Sequence, residues 1–257
     1  MFKNLFSFNL KLSDTMKKAL VLGASGATGR LLVDSLLQKG VDVIAVVRDA
    51  RSLSRIDSSP AGLQVVEAEI SKISEAELAQ YLNECEVVFS CLGHNLTIKG
   101  MFGHPRRLVT DAIKKVVKTI DSIQPDKKFK IVLMNTTGNC NRDIPETPPF
   151  SQRFVVALLR VLLPPHIDNE EAADVLRLQV GQNNEYIEWT AVRPDGLINE
   201  DQRSQYDIET SPTRNVIFDA GSTSRINVAD FMSELAINSE LWREWKGKMP
   251  VIYNRVA

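Results

Sequence analysis

The sequence predicts a doubly wound α/β fold: a mainly parallel sheet with helices on both faces, built as one domain. Three observations predict it. Apolar, β-branched runs recur with helical segments between them, namely KKALVLG, VDVIAVV, LQVVEAE, EVVFSCLG, KFKIVLMNT and EYIEWTAVRP, and such alternation winds strands into a parallel sheet. The runs are mostly apolar without clean alternation, as strands covered on both faces are. No repeat, low-complexity tract or linker interrupts the 257 residues, a length that a single large domain accommodates.

Composition narrows the partner. The chain is 44% hydrophobic and 25% charged with a formal net charge of -1, the balance of an ordinary soluble globular protein. That charge supplies no field for a nucleic acid or an anionic membrane, which leaves a small molecule as the expected partner. Three cysteines, Cys85, Cys91 and Cys140, form neither a CxxC pair nor a zinc-ligand set with histidine, so no metal is expected and a reducing, cytoplasmic setting is.

Taken in order, residues 1–15 read as an N-terminal extension with no signal-peptide pattern, ahead of a domain over 16–257. Translation from Met16 and a loosely packed extension are equally compatible with the sequence. The first strand then runs directly into GASGATGR. Strand, glycines and helix are the context a dinucleotide-binding loop requires. Gly23 turns the chain, Gly26 lets backbone lie against a pyrophosphate, and Gly29 lets the helix approach the sheet. Ser25, Ala27 and Thr28 complete the candidate cofactor-binding loop, whose helix start presents unpaired N–H groups to phosphate. The fold expected is therefore of the Rossmann type.

The end of the second strand selects the dinucleotide. Arg48 and Asp49 follow Val47, and strand alternation turns them to opposite sides. With Arg48 toward the adenosine ribose, its guanidinium pairs with a 2′-phosphate and NADP(H) is favoured over NAD(H). Were the strand one residue longer, Asp49 would meet the ribose and NAD would be preferred. Arg51 is a possible assistant, and Arg55 reads as solvated.

Further along, a helix is expected over 106–120, with Val109, Ile113, Val116 and Ile120 on one face and Lys114, Lys115 and Lys118 on a solvated one. The stretch from Phe154 to Pro165 is too short to span a membrane and contains Arg160, so it reads as a buried or subunit-facing helix, a lid or a homodimer contact. Asp168 with Glu171 reads as a helix start bearing acids at its favourable end. His104 and His166, each beside proline, read as loop residues.

GASGATGR, the VVRD strand end, SCLG at Ser90–Gly93, EWTAVRPDGL at Glu188–Leu197 and SRINVADF at Ser224–Phe231 together resemble the short-chain dehydrogenase/reductase superfamily, and within it the atypical branch of the flavin and biliverdin-IXβ reductase type. The resemblance covers nearly everything from Met16 onward. It implies that Cys91, Leu92 and Gly93 lie beside adenine and ribose, that Asn135–Gly138 close the fifth strand near the nicotinamide, and that the segment after Pro194 borders the carboxamide. Thr136 or Thr137 is then a candidate to hold a substrate carbonyl by donating a hydrogen bond, or else a plain turn residue.

One departure stands out. Standard members of the superfamily carry a tyrosine with a lysine four residues later. Here Tyr81, Tyr186, Tyr206 and Tyr253 are followed at that spacing by Cys85, Thr190, Thr210 and Ala257. By register, Glu170 and Asp174 fall where the pair is expected, although a structural role suits them better. His94 is the other candidate for proton transfer. The resulting expectation is an NADPH-dependent oxidoreductase acting on a small carbonyl or conjugated substrate without the usual pair. The alternative is an NADP(H)-binding redox sensor that does not turn over. A sugar-nucleotide epimerase is disfavoured by the missing tyrosine.

Overall fold

A computed structural model describes residues 18–53, 61–94, 105–147 and 149–255. The expected extension at 1–15, Met16, Arg55 and His104 lie outside the described residues. The elements run β1 (Lys18–Leu22), α1 (Ala27–Gln38), β2 (Asp42–Val47), β3 (Leu63–Glu67), α2 (Glu75–Asn83), β4 (Val87–Ser90), α3 (Leu108–Ile123), β5 (Phe129–Met134), α4 (Phe150–Leu162), α5 (Pro164–Asp174), β6 (Ile187–Pro194), β7 (Gly196–Ile198), β8 (Tyr206–Glu209), β9 (Ser222–Ser224), α6 (Arg225–Ile237), α7 (Ser239–Trp245) and β10 (Val251–Asn254).

Eight strands form one sheet in the order β3-β2-β1-β4-β5-β6-β10-β8. All pair in parallel except β8, which runs antiparallel to β10. The chain moves outward from β1 through β2 to β3, then returns across β1 to begin β4. The strand order therefore reverses between β1 and β4, and ligands of open α/β sheets bind at such a reversal, beyond the carboxyl ends of the strands.

Alternation along each strand explains both helical layers. On β1, Ala19 and Val21 point to the face covered by Leu32, Val33 and Leu36 of α1 and by Val228, Phe231, Met232 and Leu235 of α6. Leu20 and Leu22 point to the other face, covered by Leu78 and Leu82 of α2, by Val109, Ile113, Val116 and Ile120 of α3, and by Ala172 and Ala173 of α5. Each large apolar side chain so buried contributes about 1.5–3 kcal/mol. The two faces make this one doubly wound domain, as the sequence predicts.

The structure corrects several finer expectations. β3 is an edge strand with Gln64, Val65 and Glu67 exposed, so it is not covered on both faces. Lys115 is not a plain solvated lysine: its Nζ donates to the carbonyl oxygens of Ile70 at 3.0 Å and Ile73 at 2.7 Å and so fastens the chain that follows β3. The helix bearing Asp168 starts earlier, at Pro164, because prolines suit the first helical turn, where no N–H partner is needed. His166 is accordingly helical, not a loop residue. Asp168 sits a turn inside α5 and serves α3 instead. Helix α4 turns Gln152 and Val156 inward, each 5% exposed, while Phe150, Phe154, Leu158 and Leu162 form an outward apolar stripe. Among the described residues no helix is long and apolar enough to cross a membrane.

Candidate dinucleotide site

At the β1/β4 reversal the chain leaves β1 through Gly23, whose φ is +76°, a backbone conformation that side chains rarely adopt. A β-carbon on Gly23 would stand 2.7 Å from the Cys91 carbonyl, because the turn after β1 presses on the end of β4. One on Gly29 would overlap the Gly23 carbonyl oxygen, so the first turn of α1 lies directly on the turn that precedes it. Gly26 is the N-cap of α1. No side chain caps this helix and no acid occupies its first turn. The unpaired amides and the positive dipole end are thus left to whatever lies in front of them.

What lies in front is a cavity of ≈ 340 Å³ that collects Gly23, Ser25, Gly26, Arg48, Cys91, Leu92 and Gly93. Of the other loop residues, Ala27 is exposed at the start of α1 and Thr28 is buried beneath it. Among the described residues a β-carbon on Gly93 would meet nothing within 4 Å, so none of them demands a glycine there, and Gly93 lines the cavity. Burial pushes the Cys91 thiol up to about 12, which keeps it protonated and inert near neutrality. The far wall comes from Ala68, Glu69, Ile70 and Ser71. These follow an edge strand and carry no motif, and only their place just past a strand end marked them.

β2 ends at Val47, so Arg48 is the first residue beyond it, exposed and lining the cavity. Asp49 does not line it. Its carboxylate accepts from the Arg51 guanidinium at 3.0 and 2.9 Å and from the Arg51 amide at 3.0 Å. Side-chain hydrogen bonding by Arg51 holds the Asp49 carboxyl below its usual range. Arg51 is thereby turned to Asp49.

The remaining candidates sit along the carboxyl ends of β4, β5 and β6. His94 has a side chain only 4% exposed, with Nε2 2.8 Å from Asp168 Oδ2. The same carboxylate accepts from the amides of Val109 at 2.8 Å and Thr110 at 2.9 Å, capping α3 from another helix. Asn135 Nδ2 donates to the Asn169 carbonyl at 2.8 Å, so α5 braces the ends of both β4 and β5. The Thr136 hydroxyl accepts from the Gly138 amide at 3.2 Å, as in a turn. Thr137 gives its proton to Asp195 at 3.0 Å. Pro194 closes β6, and its carbonyl accepts from the Thr137 amide at 3.2 Å. Asp174 is turned to Arg142 and Arg177, while Glu170 is gripped by Arg160.

Uncapped amides, a glycine lining the cavity and a strand-end arginine fit a dinucleotide at the β1/β4 crevice, and the strand order and glycine geometry define a Rossmann-type dinucleotide-binding protein. The chain belongs to the NAD(P)H-binding family, whose model matches residues 23–239. Solved structures of the same fold include an oxidoreductase, ylbE, from Lactococcus lactis, at 16% identity over 93% of this chain and 91% of that one with a TM-score of 0.66. A wide-type short-chain dehydrogenase/reductase from Veillonella parvula in complex with NADP is 15% identical over 93% and 95% with a TM-score of 0.66. ChuY, an anaerobilin reductase from Escherichia coli, is 16% identical over 94% and 98% with a TM-score of 0.64. No curated protein matches the chain.

Proposed function

We propose that this protein is an NADPH-dependent oxidoreductase that reduces a small carbonyl or conjugated substrate without a tyrosine/lysine pair. The observation that carries the cofactor choice is the division of labour after β2: Arg48 lines the cavity while Asp49 is held by Arg51. A guanidinium there pairs with a 2′-phosphate, and the acid that would repel it is engaged elsewhere.

Family membership supports nucleotide binding, and the uncapped start of α1 supplies the donors for a pyrophosphate. Bound NADPH would supply a hydride, the part of the chemistry that belongs to the cofactor. The chain's share is to orient it at the ends of β4–β6 and to shape the space beside it. For a carbonyl substrate the hydride goes to carbon and a proton from water goes to oxygen, giving the alcohol. Thr137 acts in this reading as a bracing residue, since its hydroxyl proton goes to Asp195, whereas the Thr136 hydroxyl accepts from Gly138 and keeps its own proton to donate to a substrate carbonyl. The missing tyrosine/lysine pair supports a second reading, a redox sensor that binds NADP(H) without turning it over.

Equilibrium binding tests the cofactor choice. Arg48→Asp should weaken NADP binding by ten- to a hundredfold, the worth of a charge-assisted pair of about 1.5–3 kcal/mol, and change NAD binding little. Equal losses for both nucleotides would sink the assignment. Tight NADPH binding with no absorbance loss across flavins, quinones and small carbonyl compounds would favour the sensor.

A further inference from the structure

A second cavity, of ≈ 360 Å³, opens beside the carboxyl ends of β5 and β6, between Thr137 and Cys140 on one side, Gln152 of α4 above, and Ser211–Asn215 opposite. Gln152 is 5% exposed, and its carboxamide makes no hydrogen bond among the described residues. An amide with no protein partner at a cavity wall leaves its donor and acceptor to whatever occupies that cavity. The group is held inward by the helix itself: Gln152 and Val156 are four residues apart on the buried side of α4, opposite the Phe150, Phe154 and Leu158 stripe.

The charged groups in this wall and several of its polar ones are already engaged. Thr137 donates to Asp195. Glu146 is bound by the buried Arg193 at 2.7 and 3.0 Å and by the Asn141 amide at 2.7 Å. Arg214 is paired with Asp219 at 2.6 Å. Asn215 accepts from the amides of Ile217 and Phe218. With the wall's charges neutralised in pairs, a hydrogen-bonding edge, rather than an ion, is what the pocket is equipped to recognise. A carboxamide presents one acceptor and one donor side by side.

We infer that this cavity is the substrate pocket and that Gln152 selects molecules carrying an amide-type edge, an N–H next to a C=O, that pairs with its carboxamide in two parallel hydrogen bonds. The inference rests on the oxidoreductase reading for the pocket's role as a substrate site. A lactam or imide bearing a reducible carbonyl has the required chemistry.

Isatin and N-methylisatin make the test, since they share a ring system and a reducible ketone and differ in the N–H. In the presence of NADP, wild-type protein should bind isatin about tenfold tighter than N-methylisatin, the effect of one hydrogen bond lost at a buried site. Gln152→Leu should bring the ratio near one while the melting shift given by NADPH stays as in wild type, because Gln152 lies outside the β1/β4 cavity. No isatin binding, equal binding of the two by wild type, or an unchanged ratio in Gln152→Leu would overturn the inference; the wild-type comparison needs no variant to fold. The oxidoreductase reading fails separately, through isatin that binds as expected while NADPH absorbance stays constant.

Discussion

At the scale of single residues, the three loop glycines differ in what they do. Gly29 has the clearest steric reason, since any side chain would collide with the backbone of the turn after β1. Gly29→Ala must therefore lift α1 off that turn. Overpacking of this kind costs about 1–3 kcal/mol, and chemical denaturation should show a loss in that range together with weaker nucleotide binding. An unchanged midpoint would mean that the turn accommodates a methyl group. Gly26 is different. A β-carbon there would stand 3.2 Å from the Gly23 carbonyl oxygen, a contact a small shift relieves. Its contribution is the open backbone at the helix start, consistent with the phosphate role proposed for it.

At the scale of elements, α5 organises the site. It binds the end of β4 through His94 and Asp168, the end of β5 through Asn169 and Asn135, and α4 through Glu170 and Arg160. The Glu170 carboxylate accepts from Arg160 Nε and Nη2, each at 2.8 Å, with the His166 ring 3.4 Å away. Burial pushes the Glu170 carboxyl up, but the His166 ring and the Arg160 guanidinium outweigh it and hold it at about 2, below the ordinary 4.5. A depressed folded-state pKa stabilises the protein above the unfolded value and loses that stabilisation as the pH falls toward the folded one. Between pH 4.5 and about 2 the wild type should therefore lose more stability than Glu170→Gln. Urea midpoints across that window measure it, and parallel losses in both proteins would refute the pairing.

At the scale of the whole molecule, the crevice lies between two halves of one sheet, so its occupant bridges loops from β1, β2, β3 and β4. A ligand that binds only the folded chain stabilises all of it. NADPH at a hundred times its dissociation constant should add about 2.7 kcal/mol, raising the melting temperature by roughly 5–10 °C for a domain of this size. NADH at equal concentration should do less, and an equal shift would contradict the choice of NADP.

The sequence by itself determined the doubly wound architecture, six of the sheet's strands and the glycine loop, because these rest on local patterns: apolar runs, helical spacing, and glycines where backbone must turn or touch. It also placed Arg48 just beyond β2, while leaving open whether Arg48 or Asp49 meets the ribose. Tertiary structure alone settled the contacts between distant segments. Asp168, which reads as the start of its own helix, caps α3 some 58 residues earlier. Lys115, which reads as solvated, ties down the chain after β3. Gln152, featureless in sequence, is placed by α4 at the wall of a cavity, where none of the described residues pairs with its amide. The short strands β8 and β10 likewise gain their partners only by closing the far edge of the sheet, while β7 and β9 pair with each other in a separate two-stranded sheet. Spacing along the chain encodes faces and turns, whereas a buried polar group's role depends on which atoms surround it, and those come from elsewhere in the fold.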